Sequence, residues 1–580
     1  MRKRMFFAAL FAAGLLLTAC SSDNDAIMES PSLDSKFDAQ GNAYVNIAIK
    51  LPSSQGAATR ANGEFDHGTA AEYEVKDAVL VLFKGTNESD AKFNGAYTLP
   101  TEKVKQAVSN PQISDRILYA QQINKGENTL DPTDRIFAFV AINTNGKFVV
   151  NESTRGLTVK AVDEDKVLTK NTTTFSTFRN YALDVVGDPT ADGLLMTNPP
   201  MSTANGGSSA PVSPQIRYMP ELTVNHIYNS IEEAYAGSKF VEIYVERAAA
   251  KIDLNVPSGT STGLTTDESV KYNPSGIQWE VQNYNSSYYL SRHVSTTYLG
   301  YSSSVLTTPF YRFAEQTAVD PIMDSKNYRI PWAEDANYAS AAPQNVPGST
   351  IIGKQVAFTN TPNDVVYVAE NTVDENSLKQ EYTTRIVLAV PFNGGTSFYT
   401  SSLGGGDEIF SVDNMKAKVK EYVEGQYAGL TVSAVEFANA ADGSATVSDI
   451  TLSDASQKAT VLADLTAHAQ FSYYNNGMAY YKVLIKHFGD VETPLRPAAE
   501  ITGSTYDDVY PTSNRAQNYL GRYSIVRNNW YRITLDGIKH IGKPSVPEIP
   551  ADTPDDEIDA YLKVRINILS WAMRNQEVIL

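Results

Sequence analysis

Cys20 is the single cysteine of this 580-residue chain, and its thiol is the nucleophile whose setting prescribes a reaction. It closes the string Leu17-Thr18-Ala19-Cys20, behind a basic start (Arg2, Lys3, Arg4) and an apolar run from Met5 to Ala19. A positive start, a short apolar stretch and small residues at a cut site make a secretory signal. With cysteine at the cut site the pattern is a lipobox, in which the thiol is diacylated and the chain is cut ahead of it. The apolar run is shorter than the ~20 residues that a spanning helix needs. Residues 1–19 thus read as signal and Cys20 as a lipid attachment point. Arg60 marks a second possible reaction. It is the only arginine between the signal and Arg116, within the small-residue stretch Pro52 to Gly63 of the kind that proteases cut.

Other reactive patterns dissolve on inspection. Ser261 sits in a formal G-x-S-x-G, but Pro257 precedes it and no helical period follows, so it reads as a turn. Gly537 to Lys543 mimics a phosphate loop, yet Pro544 stands where a Ser or Thr should hold magnesium. The histidines form no H-x-x-x-H pair and the mature chain offers no thiolate set, so no metal or cofactor is expected. The acidic runs Asp163 to Asp165 and Asp555 to Glu557 lack the spacing of a calcium loop and read as solvated faces. A formal charge of −18 argues against nucleic acid as a partner.

The elements that would position these residues are strands. Asp77 to Lys84, Arg135 to Asn143 and Thr384 to Pro391 are continuous apolar runs, which suit strands buried on one or both faces. Phe410 to Val423 carries the best helical period, as a stripe that packs on a sheet. Phe240 to Val256 reads as a long strand with a charged centre, Glu246-Arg247. The expected fold class is all-β with a few short helices, in at least two domains because single cores stop growing near ~250–300 residues. Ahead of Arg60 lies a clean strand, with Ala43, Val45, Ile47, Ile49 and Leu51 on one face. Pro544 to Pro554 is a Pro-rich acidic connector, which favours extended geometry. Beyond it Val564, Ile566 and Ile568 alternate, and Trp571, Met573, Val578 and Leu580 follow as further apolar anchors.

The lipobox, ERAAAKIDL (246–254), MAYYKVLIKH (478–487), GRYSIVRNNWYRITLDGIKHIGKPSVP (521–547) and the terminal strand with Trp571 resemble the fimbrillins. These are the major subunits of Bacteroidales type V pili, and the chain is most similar to the larger, minor-fimbria type. The resemblance implies two tandem transthyretin-like β-sandwich domains, at 61–238 and 239–550. It implies a lipidated propeptide, 20–60, and a C-terminal donor-strand tail, 551–580. It further implies a precursor brought to the outer membrane by lipoprotein export machinery, anchored transiently there by its lipid, and cut between Arg60 and Ala61 by an arginine-specific protease. Loss of the first strand would open a groove that the tail of another copy fills, giving a head-to-tail polymer joined by pilus tip and anchor proteins in a cell-surface fimbria that supports adhesion or biofilm. No enzymatic activity is implied.

The physical case for strand replacement is independent of the family. Five alternating apolar side chains amount to an upper bound of about 8–15 kcal/mol for whichever strand fills the groove. An emptied groove exposes unpaired backbone that templates an added strand. Because donor and groove are different surfaces, the contact propagates as an open filament unless it closes into a ring. The terminal strand could alternatively pair within its own sheet. Alternative functions are a monomeric surface lipoprotein that binds glycans, or a tip or anchor component of the pilus.

Overall fold

A computed structural model describes residues 33–52, 70–99, 104–107, 113–125, 134–184, 192–203, 216–285, 287–294, 313, 328–336, 351–352, 358–489, 493, 501, 503, 505–512, 515–548, 552–555, 562–570 and 574–576. The fold is all-β with few short helices, as composition and alternation predict.

The N-terminal part is built from β1 (Asn42–Pro52), β2 (Ala78–Gly85), β3 (Lys92–Thr98), β4 (Val104–Ala107), β5 (Ile113–Asn124), β6 (Arg135–Ile142), β7 (Ile227–Tyr228), α1 (Ile231–Ala236) and β8 (Val241–Tyr244). One sheet runs β7–β1–β5–β4, with β8 also paired to β1; the other contains β6–β2–β3. Val45, Ile47 and Ile49 of β1 share a core with Leu80, Leu82, Ala138 and Val140 of the facing sheet. The opposite faces of β2 and β6 are buried as well. Val81, Phe83 and Phe139 join Phe175 and Phe178, together with Trp332, Phe488 and Val526 from far along the chain. Two covered faces explain why these strands read as unbroken apolar runs rather than as alternation.

The C-terminal part contains β9 (Ala250–Asn255), β10 (Gln278–Gln282), β11 (Val365–Val368), β12 (Arg385–Pro391), β13 (Phe398–Ser401), α2 (Val412–Gln426), β14 (Val432–Asn439), β15 (Ser444–Leu452), α3 (Lys458–His468), β16 (Phe471–Tyr474), β17 (Met478–Leu484), β18 (Asn529–Ile538), β19 (Leu562–Ser570) and β20 (Arg574–Gln576). Two sheets, β11–β9–β18–β19–β20 and β10–β12–β17, enclose a core that includes Ile252, Trp279, Leu388, Tyr481 and Ile533. A third sheet, β13–β16–β15–β14, carries α2 and α3 over a separate small core. Helix α2 follows the predicted stripe through buried Met415, Val419 and Val423, and starts at Ser411, whose side chain caps the Asn414 N–H. Phe410 pairs with Tyr399 instead of entering the helix.

The long strand expected over 240–256 is divided. Val241–Tyr244 runs parallel to β1, Glu246–Arg247 pairs with Met196–Thr197 in the facing sheet, and β9 runs parallel to β18. Sequence alternation persists through such a crossing because each short piece still has one apolar face.

Arg385, at the start of β12, departs from ordinary burial. It is 0% exposed, and among the described residues Nε, Nη1 and Nη2 have no hydrogen-bond partner. Burial pulls its guanidinium down to about 10. An uncompensated buried cation costs several kcal/mol. Arg385→Met should therefore raise stability by roughly 1–4 kcal/mol, read as a higher denaturant midpoint at unchanged slope. A lower midpoint would mean that the cation is compensated in solution.

Candidate assembly groove

β1 is an interior strand. Its residues from Asn42 to Lys50 pair antiparallel with Asn124 to Arg116 of β5, and the ladder slips before Pro52 meets Ile113. On its other side Tyr44 and Val45 pair with β7, and Ile47 to Lys50 run parallel to Val241 to Tyr244. Of the residues singled out in the sequence, Ala43, Val45, Ile47 and Ile49 are fully buried, and Leu51 lies in the same strand where its register with β5 shifts between Lys50 and Pro52. The three branched side chains alone are worth roughly 5–9 kcal/mol as an upper bound. Withdrawing β1 would leave backbone edges on both β5 and β8.

The other face of β1 is covered too. Asn46 is 0% exposed, and its Nδ2 donates to the carbonyl of Ala234 at 2.6 Å and to that of Gly237 at 3.5 Å. Both carbonyls belong to the C-terminal end of α1, where helical acceptors run out. Ala48 packs against Leu118 and Phe240 on the same side.

Cys20, Arg60 and Ala61 lie outside the described residues, as do Trp571, Met573, Val578 and Leu580. After Arg60 the described residues resume at Ala70, and Glu72 is 1% exposed. Its carboxylate pairs with Lys251 Nζ at 2.8 Å and accepts the Tyr367 hydroxyl, and its carbonyl accepts Arg247 Nε at 2.9 Å. Lys251 also sits 3.7 Å from the centroid of the Trp530 ring, whose Nε1 donates to Asp253 at 3.0 Å. Glu72 is thus tied to the start of the C-terminal part. Sequence reasoning missed it, because a lone glutamate carries no pattern; the charges of Glu246-Arg247 inside an apolar strand were the available signal.

The GRYSIVRNNWY motif completes this joint. Arg527 and Glu370, both 0% exposed at their side chains, form an ion pair in which Arg527 Nε donates at 3.0 Å. Arg292 pairs with Glu246 at 2.9 Å beside them. Gly521 has φ +80°, and a Cβ there would come within 2.7 Å of the Phe488 and Trp332 rings. Asn528, at φ 60°, accepts the Arg247 N–H at 3.2 Å through Oδ1. His487 bridges Tyr531 and the Pro331 carbonyl at 2.8 and 2.7 Å.

At the other end of the chain, the backbone of β19 pairs antiparallel with β18: Val564 opposes Leu535, Ile566 opposes Ile533 and Ile568 opposes Tyr531. The terminal strand therefore occupies its own sheet in this state, the alternative arrangement named above. The connector before it is pinned at Lys379–Pro554, and Asp555, expected on a solvated face, is 0% exposed. It accepts the Tyr510 hydroxyl, and its N–H donates to the Leu378 carbonyl at 3.1 Å. Asp163 behaves as expected, exposed and paired with Lys166 at 2.6 Å.

Residues 504–577, which run from the short helices before the motif through β18, β19 and β20, match the family model described as major fimbrial subunit protein type IV, fimbrillin, C-terminal. The chain carries a fimbrillin C-terminal region. The match is to a family of fimbrial subunits and lies in the C-terminal part of this chain. No curated protein matches it. Among solved structures it is similar to a candidate cell adhesion protein from Parabacteroides distasonis, with 13% identity, 92% of this chain and 99% of that chain covered, and a TM-score of 0.35. A candidate cell adhesion protein from Bacteroides eggerthii gives 9% identity, 92% and 98% coverage, and 0.31. The tip fimbrial protein Mfa3 from Porphyromonas gingivalis, with C-terminal truncation, gives 10% identity, 91% and 100% coverage, and 0.29. Scores of this size leave the functional argument to the family match.

A cleft of about 780 Å³ borders β8, lined in part by Glu88, Arg217, Tyr218 and Tyr244. Burial pushes the Glu88 carboxyl up to about 7, against the opposing effect of the Met219 and Tyr218 N–H groups that it accepts. Among the described residues no cluster of His, Cys, Asp and Glu suited to a metal ion occurs.

Proposed function

We propose that this fimbrillin is a shaft subunit that polymerises by strand replacement. In this reading the precursor is exported as a lipoprotein acylated on Cys20 and held transiently at the outer membrane. An arginine-specific protease cuts after Arg60, and residues 20–60 leave together with β1. The tail of another copy, carrying Val564, Ile566, Ile568 and the apolar residues that follow, then enters the groove between β5 and β8. The folded units are 61–238 and 239–550, with the tail from 551 onward, and tip and anchor proteins terminate the polymer.

The observation that carries this reading is the position of β1. It is an interior strand, and its connection to the rest of the chain passes through the stretch that holds Arg60. On the far side of that stretch Glu72 is fixed in a buried ion pair with Lys251. A cut at Arg60 would separate a strand held by β5, β7 and β8 from a chain held independently at Glu72, so the body of the subunit keeps its N-terminal fastening. The free energy lost with β1 is then recovered only when another strand of like pattern arrives.

The test is the N-terminal residue of fibres purified from the cell surface. Ala61 is expected. An acylated Cys20 at the start of fibre subunits would overturn the reading.

A further inference from the structure

A replacing strand must satisfy both faces of the groove. The inner face asks only for alternating apolar side chains, and several registers of β19 provide them. The outer face is more demanding, because Asn46 is 0% exposed and donates to the carbonyls of Ala234 and Gly237 at the end of α1. Without β1 those acceptors lose a buried donor, a loss that normally costs more than the bond itself contributes.

Between Leu562 and Ser570 there is one side-chain amide, Asn567. Ile566 and Ile568 flank it, as Val45 and Ile47 flank Asn46. We infer that Asn567 sets the register of subunit joining: in the fibre it takes the place of Asn46 of the next copy and donates to the Ala234 and Gly237 carbonyls. The inference rests on the strand-replacement reading and goes beyond it by specifying which residue meets which. The match holds for either direction of the incoming strand, because the flanking residues are apolar on both sides. A slip by two residues in one sense keeps the apolar alternation but brings Arg565 to that spot; in the other sense it brings Leu569 there and turns Ser570 to the inner face. Arg565 would force a longer cation into a space closed around an asparagine, and Leu569 has no donor. A slip by one residue would turn the isoleucines out of the core. The amide is therefore the feature that separates registers which the apolar pattern treats alike.

The site of Asn46 lies opposite Ala120 of β5, which is 4% exposed. In fibres assembled by cells from the full chain, the pair Asn567→Cys with Ala120→Cys should form disulfide-linked subunit ladders. Arg565→Cys or Leu569→Cys with Ala120→Cys should not. Ladders from either slipped pair in place of the Asn567 pair overturn the inference, and so do fibres that yield no ladder from any pair. Asn567→Leu should raise the subunit concentration needed for fibres about tenfold, the loss expected for one buried hydrogen-bond set; an unchanged requirement also overturns the inference. Deleting residues 562–580 tests the underlying reading separately. Normal fibres from that deletion remove strand replacement itself, whereas lost fibres combined with a slipped ladder remove only the register.

Discussion

With Arg60→Ala, uncut lipidated precursor should accumulate and long fibres should fall by more than about tenfold, because a tethered strand competes at an effective concentration near millimolar. The expectation follows from where β1 sits. It pairs with β5 along nearly its whole length and with β7 and β8 on the other side. An incoming strand cannot share the groove and would have to displace a partner that never diffuses away. Arg60→Lys should behave like Arg60→Ala if the protease requires arginine. Immunoblots of the membrane fraction and electron microscopy of the cell surface read the result. Abundant fibres of normal length from uncut precursor would sink the maturation model.

Glu370→Ala should cost about 3–5 kcal/mol of stability, the usual price of stranding a buried charge. The Arg527 side chain is 0% exposed and donates to Glu370 and to the Tyr289 carbonyl, so loss of the carboxylate leaves a guanidinium with one acceptor and, for counter-charge, the Glu246 carboxylate that Arg292 already engages. Glu246 and Arg292 lie close enough to be disturbed: the guanidiniums of Arg292 and Arg527 oppose the burial that pushes the Glu246 carboxyl up. Total stabilities of about 5–15 kcal/mol leave little room for such a loss. Glu370→Leu combined with Arg527→Met should recover most of it, since apolar replacement of a whole buried pair is often neutral. Chemical denaturation of the three variants decides the matter. A loss below about 1 kcal/mol for Glu370→Ala would mean that the pair contributes little to the joint.

Much of the strand content was legible because burial leaves a simple mark on sequence. Asp77 to Lys84 and Arg135 to Asn143 read as doubly covered strands and are so, β2 and β6 being central to a sheet with a core on each side. The Ser261 turn was legible too: its Oγ is engaged with Gly263 of the same turn at 3.1 Å. Helix α2 announced itself by period, whereas α3 did not, as it buries little beyond Val461 and Leu465. The three-way split of residues 240–256 was invisible because changing sheets preserves alternation. The outer face of β1 was invisible for another reason. Asn46 looks like a solvent-facing residue between apolar ones, and only the placement of α1 over it makes it a buried donor. Asp555 is the same lesson in reverse: an acidic run suggests solvent, but Tyr510 and the Leu378 carbonyl draw its first residue inside.

The two parallel pairings, β1 with β8 and β9 with β18, join segments from opposite ends of their respective parts of the chain. Contacts so distant in sequence close slowly, because the loop between them must be ordered before the pairing returns any free energy. Neither sheet can be finished during synthesis until its last strand has been made. Until then a copy holds two unfinished sheets and exposed strand edges, the state in which a β-rich chain aggregates most readily. A net charge of −18 works against that fate by keeping half-made copies apart.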